Sequence, residues 1–238
     1  MEKVSLYIPC YNARRYLKEC LEGVLRQTCK IDEILVIDDG STDGSLAIAR
    51  NYPVRVIRHN RNKGLAAVRN TAFKESRNDL VAALDADCLA DPEWLEGLMR
   101  CFDNKDIVGA GGRLLEKNTA GLADKWRLAH MKQDWGNDVV YDPLFLYGNN
   151  SVLRKSAVKK AGFYNERFKS NYEDIDLSSR IYACGSRMVY QPAALVEHLR
   201  QDTLRSILKG YWVRQCYYRK YNEPAKKGML SKTALRVG

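Results

Sequence analysis

Apolar runs and helical repeats alternate through the first half of the chain, and that alternation sets the expected architecture before any single residue is weighed. Residues 3–8 form a short apolar run that predicts a strand, and between 13 and 27 Tyr16, Leu17, Cys20, Leu21, Val24 and Leu25 recur at helical spacing on one face. The pattern continues with a strand at 33–38 (EILVID), a helix at 45–51, a strand at 54–59, a helix at 65–76 and a strand at 80–84. Strands separated by helices of this length need parallel crossovers, so the expected sheet is predominantly parallel with helices on both faces. A helix opens at Pro92, a good first-turn residue, and runs to about 102, with a further strand at 107–111.

Beyond 113 the pattern loosens. It predicts a helix at 122–132, turns around 136–143, an extended segment leading into a short helix at 155–160 and a helix at 174–184. Strands are expected at 188–191 and 194–198, then an amphipathic helix from about 203. No internal repeat and no linker rich in Pro, Gly or Ser divides the chain. The expected organisation is one α/β domain over 1–198 followed by an extension over 199–238.

Composition narrows the classes. At 238 residues and 45% apolar content the chain can bury a sizeable core, which sets aside disordered and low-complexity readings. No apolar run approaches about 20 residues, the length a membrane-spanning helix needs. The first residues carry no small-residue cleavage site and read as a strand, so the expectation is a cytoplasmic chain. Seven cysteines without a C-x-x-C pair argue against a disulfide framework or a zinc knuckle and for free thiols in a reducing compartment. The net charge of +10 is concentrated at one end: residues 199–238 hold ten basic and two acidic residues.

In open α/β sheets ligands bind beyond the carboxyl ends of the strands. Here those ends are acidic: Ile8-Pro9-Cys10-Tyr11-Asn12 after the first strand, Asp38-Asp39-Gly40-Ser41-Thr42-Asp43 after the second, Asp85-Ala86-Asp87 after the fourth. Carboxylates converging on one edge repel one another unless a cation joins them, and oxygen ligands favour Mg2+ or Mn2+ and through it a phosphate. Asp39 to Asp43 could equally be a turn with an N-cap at Asp43. Asp85 and Asp87 resist that account, because they end an apolar strand where desolvation costs most. Asn62-Lys63-Gly64 reads as a turn, yet Lys63 and Arg69 would bring positive charge to the same edge. Glu173-Asp174-Ile175-Asp176 could be only an acidic first helical turn, and His198 a structural histidine.

Together these segments resemble the inverting glycosyltransferases of family 2, which have the GT-A fold. The resemblance rests on VSLYIPCYNARRYLKECLEGVLRQT, EILVIDDGSTDGS, NKGLAAVRN, the D-x-D triplet of ALDADCLADPEWLE, GNNSVLRKSAVKKAGFYNERF and NYEDIDLSSRIYACGSRMVYQPAALVEH, and it covers roughly residues 3–198. What it implies is a nucleotide-sugar donor across the first sheet edge, with UDP-sugars foremost. Pro9, Tyr11 and Asp39 would hold the base, with Lys63, Gly64 and Arg69 beside them and Asp85 and Ala86 near the ribose or sugar. Asp87 would bind a Mn2+ or Mg2+ ion bridging the diphosphate, and His198 matches the family's late metal-ligating histidine. Asp174 matches its general base, and Gly148, Asn149, Asn150 and Glu173 surround its acceptor pocket.

The residue types suit that chemistry. A carboxylate can activate an acceptor hydroxyl, a metal can neutralise a departing nucleoside diphosphate, and attack opposite the leaving group inverts the anomeric centre. The acceptor would be a glycan or a lipid-linked group, which leaves a polyprenyl-phosphate sugar synthase as an alternative. A sugar-nucleotide nucleotidyltransferase would want a Gly- and Lys/Arg-rich loop after strand one. A dinucleotide oxidoreductase would need a glycine fingerprint that Gly109-Ala110-Gly111-Gly112-Arg113-Leu114 fails to complete. A non-catalytic nucleotide-binding module is a further alternative. The basic extension carries no nucleic-acid motif. Its interleaved Leu204, Ile207, Leu208, Tyr211, Trp212 and Cys216 suggest an anionic membrane surface at the cytoplasmic face, or else a solvated basic helix packed on the domain.

Overall fold

Alternation within each strand decides which face each helix covers. In β1 (Val4–Cys10), Val4, Leu6 and Ile8 join one buried cluster and Tyr7 joins the other, the two-residue period of a strand buried on both faces. The first cluster takes Leu17, Cys20, Leu21 and Val24 from α1 (Leu17–Leu25), Ala49 from α2 (Ser45–Ala49) and Trp94, Leu95 and Leu98 from α4 (Trp94–Arg100). The second takes Ala66, Val68, Ala72 and Phe73 from α3 (Leu65–Glu75), Val158 from α6 (Lys155–Lys160), and Leu177 and Ile181 from α7 (Glu173–Ala183). The computed structural model, which describes residues 2–222, is therefore a central sheet with helices on both faces, as expected.

The remaining strands are β2 (Glu33–Asp38), β3 (Arg55–Arg58), β4 (Leu80–Leu84), β5 (Cys88–Ala90), β6 (Ile107–Glu116), β7 (Val140–Tyr141), β8 (Asn150–Arg154) and β9 (Arg187–His198). Among the described residues they form one sheet in the order β3-β2-β1-β4-β8-β6-β9-β5, with β7 also on β9. The longest ladders, β6–β9 and β1–β2, are parallel; β8, β5 and β7 run antiparallel to their neighbours. Three details differ from expectation. β6 continues past Gly111 to Glu116, β5 is a short strand that no pattern announced, and the strands expected at 188–191 and 194–198 are one. That last strand passes through a bulge: Gly112 pairs with Gln191 but Arg113 pairs with Leu195. Pro192, within the bulge, has no N–H to give to a ladder.

Register brings the site together. The first strands run parallel, so their carboxyl ends share one edge. β8 returns antiparallel with Asn150 opposite Leu84, which sets the Gly148–Asn149 turn beside Asp85, whose N–H donates to the Asn149 carbonyl (3.3 Å). On the other side Cys88 pairs with His198, and His198 pairs with Glu116. Two helices finish the structure: α5 (Leu122–His130) and α8 (Leu204–Asn222). Leu199 and Ile207 are buried, and Asp202 bonds Arg127 of α5, so the described part of the extension packs on the α/β body. Residues 223–238, with Lys226, Lys227, Lys232 and Arg236, lie outside the described residues.

Candidate active site

Asp39 ends β2 and is gripped by its surroundings. Its carboxylate accepts from the backbone N–H groups of Lys63 (2.9 and 3.0 Å) and Gly64 (2.9 Å), and it faces His59 Nδ1 at 2.7 Å. Gly64 can present its amide there because its φ is +96°, a conformation that costs glycine little. Lys63 thus contributes backbone and not its ammonium group, and its carbonyl accepts from Lys169 Nζ (3.0 Å). His59, whose Nε2 faces Thr71 Oγ1 at 2.9 Å, was not singled out in the sequence. Reading the end of β3 as the other strand ends were read would have found it, since its N–H bonds Asp38 O across the β2–β3 pair.

Pro9, Tyr11, Asp39, Gly64, Asp85, Ala86 and Asp87 line one cavity of about 750 Å³. Tyr11 is half exposed at its mouth. Lys209 of α8 and Arg200 line the same cavity, so the extension walls a space that the first four strands open.

A second cavity of about 240 Å³ adjoins it, lined by Arg69, Asp85, Gly148, Asn149, Glu173, Asp174 and Arg214 of α8. Asp85 lines both. Arg69 is buried behind the junction: its guanidinium donates to Tyr7 Oη (3.0 Å), to the Gly148 carbonyl, to Asp85 Oδ1 (3.3 Å) and to Glu173 Oε1 (3.3 Å). Gly148 permits this approach, since a Cβ there would meet Arg69 Nη2 at 2.9 Å.

The start of α7 supplies the acids of the second cavity. Tyr172 precedes the helix with a left-handed φ of 77°, and Glu173, Asp174 and Asp176 occupy the first turn, where the helix dipole favours negative charge. Asp174 accepts from Gly148 N (3.1 Å) and from Ile175 N (2.9 Å), one bond per oxygen, so each oxygen keeps a lone pair. Glu173 is buried with its Oε2 unpartnered among the described residues. Burial, then the charge of Asp174, push its carboxyl up to about 7 against the pull of Arg69. Asn149 Nδ2 donates to Gln133 (2.7 Å), while its Oδ1 is buried with no partner among the described residues.

Asn150 is different. It is fully buried, accepts from Trp94 Nε1 (2.6 Å) and donates to the Arg113 carbonyl (3.0 Å), so it stitches the sheet to α4 and does not line either cavity.

His198 Nε2 faces Asp87 Oδ2 at 3.4 Å, and its Nδ1 faces Glu116 Oε2 at 2.8 Å. Burial opposes protonation of this imidazole, but its bonds to Asp87 and Glu116 push it up to about 9. Burial likewise works to raise Asp87, and the His198 bond with the nearby Arg200 charge brings it below the usual carboxylate range. Asp85, with burial dominant and Asp87 close, is raised despite Arg69. Glu116 had no signal in the sequence; it arrives through the β6–β9 register. Among the described residues no three His, Cys, Asp or Glu side chains form a complete metal cage. One carboxylate and one imidazole do fit a hard cation that takes its other ligands from substrate phosphates and water, and Glu116 orients the imidazole as such ligands require.

Among the described residues no disulfide links two cysteines, and burial raises the thiols of Cys10, Cys20 and Cys88.

Residues 5–162 match the family model of glycosyl transferase family 2. The putative glycosyltransferase EpsE of Bacillus subtilis is 31% identical over 211 residues, 84% of this chain and 74% of that protein. Two other curated relatives extend well beyond the match, and the chain spans only 32% and 40% of their lengths. Among solved structures, S. aureus TarS 1-349 in complex with UDP-GlcNAc superposes with a TM-score of 0.70 at 20% identity, covering 89% of this chain and 64% of that one. The mannosyltransferase PcManGT from Pyrobaculum calidifontis, in complex with GDP-Man and Mn2+, gives 0.66 at 17% identity, covering 96% and 76%. At these identities the likeness shows a shared GT-A fold.

Proposed function

The chain belongs to glycosyl transferase family 2, and from that premise we propose that it transfers a sugar from a nucleoside-diphosphate sugar to an acceptor hydroxyl with inversion at the anomeric carbon. The observation that carries this reading is the meeting of two cavities at Asp85, one of about 750 Å³ and one of about 240 Å³. The larger takes the donor: Tyr11 and Pro9 flank the base, and Asp39 and Gly64 form the adjoining wall, with the Lys63 amide holding the Asp39 carboxylate. Asp85, held by Arg69, orients the sugar at the junction. The smaller takes the acceptor between Gly148, Asn149 and the start of α7.

Asp174 accepts the proton of the acceptor hydroxyl, using a lone pair that its two backbone bonds leave free. The acceptor oxygen attacks the anomeric carbon from the side opposite the diphosphate, which inverts that centre in one displacement. Arg69 holds Asp85 and Glu173 at fixed positions on either side of the reacting bond. Asp87 and His198 are the residues that would hold Mn2+ or Mg2+, which when bound supplies Lewis-acid neutralisation of the diphosphate.

UDP-sugars are the foremost donors, supported by the UDP-GlcNAc in one structural neighbour; the GDP-Man in another makes the base an experimental matter. Glu173 carries a second reading for the base, because its unpartnered Oε2 and its rise to about 7 suit proton acceptance near neutrality. The basic side chains in both cavities favour an acceptor presented at an anionic surface, glycan or lipid-linked.

The test is calorimetric titration of UDP and GDP into wild type and Asp87→Ala, each with Mn2+ and with EDTA. Tight binding only with Mn2+, lost in Asp87→Ala, is the expected result. Equal affinity with EDTA, or an unaltered variant, overturns the assignment of Asp87.

A further inference from the structure

The apolar stripe of α8 faces away from the cavities it helps to enclose. Ile207 is buried, and Lys209, Gly210, Val213 and Arg214 line cavities. Leu204, Leu208 and Trp212, spaced four apart, are 59%, 64% and 69% exposed. Four-residue spacing puts these three on one helix face, and that face meets no covering element among the described residues. A helix that packed its apolar residues on the body would bury this stripe and expose its cations. The structure instead leaves Leu204, Leu208 and Trp212 exposed.

The stripe does not stop at α8. Tyr211 meets Trp126 of α5 edge-on, with ring centroids 5.5 Å apart. One turn before Trp126 lies Leu122, 77% exposed. The two helices thus present a continuous apolar strip of Leu122, Trp126, Tyr211, Leu204, Leu208 and Trp212. Its charge has one sign. Arg205, Arg219 and Lys125 are exposed on the same two helices, α8 contains no carboxylate, and Asp124, the one acid of α5, is buried. Residues 199–238 as a whole hold ten basic residues against two acidic. Apolar residues with Trp and Tyr, on two helices whose exposed charges are Lys and Arg, suit an anionic lipid interface, where rings and leucines enter the headgroup region and cations meet lipid phosphates. A protein partner would need an acidic rim to match; a bilayer supplies that charge along its whole surface. No described helix is long and apolar enough to cross a membrane, so such contact stays at the interface.

We propose that α5 and α8 together form a docking surface for an anionic bilayer, and that this surface holds the acceptor cavity at the membrane. The link to the acceptor follows from shared walls: the α8 residue Arg214 and the residues at the end of α5, His130 and Met131, line the cavity that contains Glu173 and Asp174. The docking surface stands on the geometry alone; its service to a lipid-borne acceptor rests on the glycosyltransferase reading.

The experiment is cosedimentation of the full chain with vesicles of phosphatidylglycerol or of phosphatidylcholine, at low and high salt. It compares wild type, Leu208→Glu/Trp212→Glu, and Leu122→Glu. All three positions are exposed and outside both cavities, and unchanged thermal melting and nucleoside diphosphate affinity certify each variant as folded. Wild type is expected to sediment with phosphatidylglycerol at low salt, at least tenfold more than with phosphatidylcholine, and to be released as salt screens the attraction. The α8 double variant should lose at least tenfold in partitioning, and Leu122→Glu should lose a smaller share. Equal recovery in the supernatant with both lipids overturns the proposal. Undiminished binding by the double variant also overturns it, because the cations alone would then account for the attraction. A wild-type dimer in sedimentation that the double variant dissociates would assign the face to a second copy. Donor hydrolysis, assayed without vesicles, tests the catalytic reading separately, so either can fail while the other stands.

Discussion

At the edge proposed for the donor the acids follow directly from strands, Asp39 after β2 and Asp85 and Asp87 after β4, and Asp39 is held by backbone amides of Lys63 and Gly64. On the side proposed for the acceptor, Glu173 reaches Arg69 across 104 residues of sequence, Asp174 caps the Gly148 turn, and Arg214 arrives from a helix beyond β9. The grip on Asp39 is therefore largely backbone-built, whereas Asp85 and Asp87 meet the side chains of Arg69 and His198. The smaller cavity is a set of mutually dependent side chains, in which a change at one position alters its neighbours. Two equally acidic regions can thus respond differently to substitution.

The sharpest test of that difference is Asp174→Asn. It keeps the shape and can still accept one backbone bond, but it cannot take a proton, so transfer should fall about 10²–10⁴-fold. Affinity for the nucleoside diphosphate should hold, as measured by calorimetry beside a product assay. A fully active variant would move the base to Glu173 and break the proposed division of labour on that side.

A smaller effect is expected at Asn150, which sequence grouped with the acceptor residues. Asn150→Ala would leave Trp94 Nε1 and the Arg113 carbonyl buried and unpaired, a loss of about 1–3 kcal/mol. For a chain of this size that is a fall in Tm of about 2–4 °C per kcal/mol. Calorimetry would read it, with the acceptor KM unchanged. A raised KM at constant Tm would return Asn150 to the acceptor pocket.

The smallest and most diagnostic effect is the pH dependence tied to Glu173. Its carboxyl rises from 4.5 to about 7 on folding, so between those values the native protein holds a proton that the unfolded chain has released. Stability from this group is complete below about pH 4.5 and is lost as pH rises through 7. Arg69, Asp174 and Asp85 surround it, and Glu173→Gln leaves the first of these its partner while removing the titration. Melting curves from pH 4 to 8 should therefore show wild type declining relative to the variant. Parallel curves would mean that Glu173 is ionised throughout.

The helices over both faces and the first four strands were legible because their signals are local: a two-residue or 3.6-residue period and a turn. The acidic strand ends were legible for the same reason, since a parallel sheet sends every such loop to one edge. His59 was equally accessible by that logic and was missed only because β3 ends without a carboxylate. Glu116 was not accessible. Its place beside His198 depends on β6 running five residues past its expected end and on the bulge at Gln191 that sets the later register.

Sequence by itself determined the layering of this protein, the acidic sheet edge and the charge of its C-terminal extension, because each is written in contiguous residues. Tertiary structure decided which candidates share a cavity. It turned Asn150 into the core, used Lys63 through its backbone, and buried Arg69 between Asp85 and Glu173. It also brought Lys209 and Arg214 of the extension into the walls of the two cavities. The physical reason is that strand register and helix docking are settled by packing between segments far apart in the chain. A local period says which side of an element is buried, but not which remote side chain will meet it.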